Sequence, residues 1–72
     1  MFKLTDIQGF SYYHPKNEKT EDLAAMVNLV AQATRQPGGA GWIKVYNDTM
    51  LRDELAIRTD QIYTVQEGKK ND

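Results

Sequence analysis

Seventy-two residues, 40% of them hydrophobic, make at most one domain with a thin core, and no cysteine is present to staple it. The formal net charge is −1 and no part of the chain is strongly basic, which weighs against phosphate backbones as partners. The longest apolar run falls far short of the ~20 residues a spanning helix needs, and MFKLTDIQGF lacks the continuous apolar core of a secretion signal. The sequence therefore reads as a soluble, cytoplasmic protein that does not enter a membrane.

Phe2 and Leu4 alternate with Lys3 and Thr5, as in a short strand, and Gln8–Gly9 supplies a turn. Phe10–Tyr13 is the return strand of a hairpin over residues 2–13, which Pro15 ends by removing a backbone donor. Thr20 is the expected N-cap of a helix over residues 20–35, with Glu21 and Asp22 where the dipole favours negative charge. Leu23, Met26, Val27, Val30 and Thr34 recur at helical spacing and define its expected apolar face, with Leu29 off the centre of that stripe. Pro37 and the following glycines stop the helix, and residues 37–41 read as a flexible hinge.

Three runs rich in β-branched and aromatic residues follow: WIKVYN, LAIRT and IYTVQE. Their simplest arrangement is a three-stranded antiparallel meander. If the helix covers Ile43 and Val45, then Trp42, Lys44 and Tyr46 lie outside, but a one-residue slip would exchange the faces. Alternation in the last run places Tyr63 with Val65 and Ile62 with Thr64. Residues 68–72 are expected to be a disordered tail. The fold class is α+β, one domain over residues 1–67, ββαβββ, with one helix on a curved antiparallel sheet or small open barrel.

Little in the sequence supports catalysis. His14 is the only histidine, no thiol is present, and a Ser11–His14 pair on one extended segment would point apart. The oxygen-rich loop from Asn47 to Glu54 lacks the glycine and alternating ligands of a calcium loop, so no metal or cofactor is expected. The glycines at 38, 39 and 41 lead out of a helix rather than into one, the wrong order for cradling a phosphate.

Two surfaces remain. Met50 and Leu51, with Arg52, place large apolar side chains on a polar connection, where they either fold back or meet a partner. Trp42, Lys44, Tyr46 and Arg58, with Tyr12 or Tyr13 nearby, interleave aromatic and basic groups as single-stranded nucleic-acid binders do. Covering a thin sheet is the simpler use of those aromatics.

The chain ends resemble those of carbon-storage regulators, small dimeric all-β RNA-binding proteins, through Met1–Leu4–Thr5–Gly9 and LAIRTDQIY at 55–63. The resemblance stops at the helical segment, which that family lacks. Asp6 and Thr59 stand where it implies RNA-contacting arginines, so RNA binding does not carry over. The expected function is a non-catalytic module that binds another protein or itself, with a homodimer as one form. The alternative is a weak single-stranded nucleic-acid binder.

Overall fold

The computed structural model describes residues 1–35 and 41–68. Strands β1 (Phe2–Asp6) and β2 (Ser11–His14) precede helix α1 (Leu23–Thr34). Strands β3 (Trp42–Tyr46), β4 (Glu54–Arg58) and β5 (Ile62–Glu67) follow, with a 3-10 turn at Thr59–Gln61 between the last two. One helix thus packs on a five-stranded antiparallel open sheet, the α+β class and ββαβββ order expected.

The β1–β2 hairpin turns on Asp6. Its carboxylate accepts from the Gln8 and Phe10 amides at 2.9 Å, and Gly9 takes φ 95° where other residues would be strained. Desolvation works against its charge, but those amides and the Tyr12 hydroxyl hold the Asp6 carboxyl below its ordinary value.

The expected meander is incorrect in one respect. β4 pairs with β3, but β5 crosses to pair with β1, giving the order β4-β3-β2-β1-β5. Followed through the registers, Arg58 and Ile62 would sit on opposite edges of a flat sheet, about 30 Å apart at ~4.8 Å per strand and ~3.3 Å per residue. The three residues joining them reach at most about 14 Å. The sheet must therefore be strongly curved rather than flat. Where β5 meets β1 a bulge falls between Thr5 and Asp6. It breaks the expected alternation, so that Ile62 and Val65 both pack against the core while Tyr63 and Thr64 are exposed.

Phe2, Leu4, Met26, Ile43 and Val45 form the buried core, with Tyr12, Leu29, Val30, Leu55 and Ile57 packed around it. The helix begins later than expected. Asp22, not Thr20, is the N-cap, accepting from the Ala25 amide at 2.8 Å. Thr20 is instead fully buried, its hydroxyl 3.2 Å from the Pro15 carbonyl oxygen and 3.1 Å from Asn17 Oδ1. The helix is also rotated from the expected face: Met26, Leu29 and Val30 point inward, whereas Leu23 and Val27 are exposed.

Two contacts at its last turn account for that rotation. Gly41 lies against the Ala33 backbone, and the Thr34 hydroxyl meets the buried Thr59 hydroxyl at 2.7 Å. The helix ends at Thr34 with Arg35 as its C-cap, one residue short of the expected end; the expected stop signal at 36–39 and the hinge as far as residue 40 lie outside the described residues, and Gly41 is buried. At the other end Gly68 donates to the Met1 carbonyl at 2.7 Å, and the tail beyond it lies outside the described residues.

Candidate binding surface

Trp42, Lys44, Tyr46 and Arg58, and the loop residues Met50, Leu51 and Arg52, all fall on one hairpin, β3–β4, while Tyr12 and Tyr13 lie on β2. The hairpin's connection to the rest of the sheet is slight, a single paired position at Tyr13 and Tyr46, because Pro15 ends β2. Trp42, Lys44 and Tyr46 face outward while Ile43 and Val45 enter the core, which resolves the open register as the helix-on-Ile43 arrangement.

On that outer face Trp42, 63% exposed, lies opposite Arg58, Lys44 opposite Ala56, and Tyr46 opposite Glu54. Tyr13 joins the row beside Tyr46, whereas Tyr12 turns inward and donates to Asp6. The two cations are already partnered. Lys44 Nζ is 3.4 Å from Glu54, and Arg58 donates to Asp60 at 2.8 Å. Exposed pairs of this kind contribute little to stability, but they cancel the local positive field that phosphates require.

The connection 47–53 is ordered by Asp48. Its Oδ1 accepts from the Arg52 amide at 2.9 Å and the Asp53 amide at 3.1 Å, while Asp53 accepts from Asn47 Nδ2. The Arg52 and Asp53 amides, aided by the Arg52 guanidinium 3.4 Å away, hold the Asp48 carboxyl below its ordinary value. These oxygens are spent on the loop itself. Leu51 is held at φ 57°, a left-handed conformation unusual for a non-glycine residue, and is half-buried. Met50 is left 67% exposed at the tip. The two apolar residues therefore divide: Leu51 tucks in and Met50 points away. Thr49 lines an open pocket of about 260 Å³ together with Met1, Phe2, Lys3, Tyr13 and Gly68.

What the sequence reading lacked is the status of β4. A meander would have made it a central strand, but with β5 on β1 it becomes an edge. Asn47 donates to the Asp53 carbonyl at one end of the hairpin, and Thr59 to the Gly41 carbonyl at the other. Those two bonds fix the parity of the ladder between them. Leu55 and Ile57 bond toward β3, so the amides and carbonyls of Glu54, Ala56 and Arg58 face the free edge, where no strand pairs with them among the described residues.

His14 and Ser11 belong to opposite faces of β2, and His14 Nδ1 lies 2.8 Å from the Pro15 carbonyl oxygen. Among the described residues no three His, Cys, Asp or Glu side chains cluster as metal ligands, and no helix is long and apolar enough to cross a membrane. The positions implied to be RNA-contacting by the regulator resemblance, Asp6 and Thr59, serve a turn and the buried contact with α1. Compared with protein-family models, curated proteins and solved structures, the chain matches none of them.

Proposed function

We propose that this protein is a non-catalytic binding module that acts by stoichiometric contact with another protein or with itself through the β3–β4 hairpin. One observation carries the reading: β4 is an open strand edge running from the exposed Met50 tip to the exposed Trp42–Arg58 pair. An added strand would satisfy the free amides and carbonyls of Glu54, Ala56 and Arg58, while Met50 offers an apolar anchor on a fixed loop. Methionine, tryptophan and arginine are residues that interfaces favour.

The test compares the wild-type chain with Ala56→Pro, which removes an edge-facing amide without touching the β3 ladder, and with Met50→Glu. A partner bound at fixed stoichiometry by the wild type and lost from both variants supports the reading. The same partner retained by both would reject it. Quenching of Trp42 fluorescence by single-stranded oligonucleotides, fading as salt rises, would replace it with the nucleic-acid alternative built on Trp42, Lys44, Tyr46 and Arg58.

A further inference from the structure

The free edge of β4 is complementary to itself. We infer that its partner is a second copy of this chain, added antiparallel about a two-fold axis through Ala56, so that two open sheets become one. The inference rests on the binding-module reading and specifies its partner.

Three features of β4 agree on this register. The residues whose backbone groups face the edge, Glu54, Ala56 and Arg58, are evenly spaced around Ala56. Centred there, each meets a residue that also faces the edge, so both strands offer donors and acceptors at the same levels. The side chains then match in charge: Glu54 lies opposite the second copy's Arg58, and Arg58 opposite its Glu54. Ala56 meets its own copy at the axis, where a small exposed side chain leaves room for close approach.

Each outer row across the seam reads Tyr46, Glu54, then Arg58 and Trp42 of the second copy, so the Trp42–Arg58 pair already present in each chain is carried up to the seam. On the inner face Leu55 meets the second copy's Ile57, and both are half-buried in the single chain.

Neighbouring registers are opposed by charge. Moving the axis to Leu55 puts Arg58 opposite the second copy's Arg52; moving it to Ile57 puts Glu54 opposite Asp60. Like charges directly opposite are destabilising, so only the Ala56-centred pairing is free of them. The pairs Lys44–Glu54 and Arg58–Asp60 persist beside the new ones or exchange with them at little cost, since all four side chains are solvent-exposed.

The experiment is light scattering over a concentration series, with far-UV circular dichroism to confirm folding. The wild-type chain is expected at twice its 8.2 kDa mass at micromolar concentration. Glu54→Arg, which sets Arg against Arg twice, is expected to shift it to the monomer, and Glu54→Arg with Arg58→Glu to restore the dimer. Because the chain lacks cysteine, Ala56→Cys should form a disulfide-linked dimer on mild oxidation, given the ~5.5 Å Cα spacing of a hydrogen-bonded pair. Glu54→Cys should not, because its own copy is not its opposite.

A wild-type monomer throughout the series overturns the self-pairing while leaving the hairpin available to another protein. A dimer that survives Glu54→Arg overturns the register. Loss of a heterologous partner's dependence on Ala56 and Met50 would instead count against the broader reading, so the two failures are distinguishable.

Discussion

A Cβ added at Gly41 would overlap the carbonyl oxygen of Ala33 and come 3.1 Å from Ala33 Cα. The start of β3 therefore passes directly over the last turn of α1, backbone against backbone. Gly41→Ala must push the helix off the sheet. Overpacking of a tight site costs about 1–3 kcal/mol, and the upper end applies here because the obstacle is main chain rather than a movable side chain. For a domain this small that is a large share of total stability. Urea unfolding followed by Trp42 fluorescence checks it, and an unchanged midpoint would show that the helix does not press there.

Thr59 ties the same corner. Its hydroxyl sits 2.7 Å from that of Thr34 and 3.3 Å from the Gly41 carbonyl oxygen, and the residue is 3% exposed. Thr59→Val keeps the shape and removes the hydroxyl. Thr34 can still donate to the Val30 carbonyl, so the expected loss is about 1 kcal/mol, the usual net worth of one buried hydrogen bond. Thermal unfolding measures it, and a rise in melting temperature would contradict the assignment.

Leu51 holds φ 57°, which costs a side-chain-bearing residue roughly 1–2 kcal/mol. Leu51→Gly relieves that strain but gives up a half-buried side chain, and the Asp48 hydrogen bonds that shape the turn remain. The strain relief is about matched by the lost burial and glycine's extra chain entropy together, so unfolding free energy should change by about 1 kcal/mol or less. A marked fall on denaturant titration would mean that Leu51 packs more tightly than its exposure shows.

His14 gives the protein a pH dependence near neutrality. Burial pushes the imidazole below its ordinary value; the Pro15 carbonyl opposes this, and the Lys44 charge adds to it. The folded chain thus binds a proton less readily than the unfolded one. Stability is greatest above the unfolded value of about 6.5 and falls as pH drops through it toward the folded value. His14→Gln should flatten that slope between pH 7 and pH 5, leaving only the carboxylates, Asp6 and Asp48 among them, to lose stabilisation at lower pH. An identical slope in both proteins would falsify the assignment to His14.

The outline of the fold was legible because it is carried by local chemistry. Gly9 marked the first turn and Pro15 ended β2, and the alternation about Ile43 and Val45 marked a two-faced strand without saying which face enters the core. Where reading failed, the deciding partner was distant in sequence. Thr20 satisfied every local rule for a cap, yet it is buried among Pro15 and Asn17 while Asp22 two residues on caps the helix. The expected helical stripe through Leu23 and Val27, with Leu29 off its centre, was displaced toward Leu29, where Gly41 and Thr59 press on the last turn. In the candidate surface, the exposed aromatic row and the Met50 tip could be found from residue type alone, but the edge-facing Glu54 and Ala56 could not.

By itself the sequence determined which segments become strands and helix, because periodicity, turn residues and β-branching act over a few neighbours. Strand pairing was decided only in three dimensions. β5 pairs with β1 rather than β4, and the bulge between Thr5 and Asp6 lets Ile62 and Val65 both face the core beside Phe2 and Leu4. That choice freed β4 and turned an interior strand of a simple meander into an open edge. Backbone groups left without partners are a property of the assembled sheet, and no stretch of residues announces them.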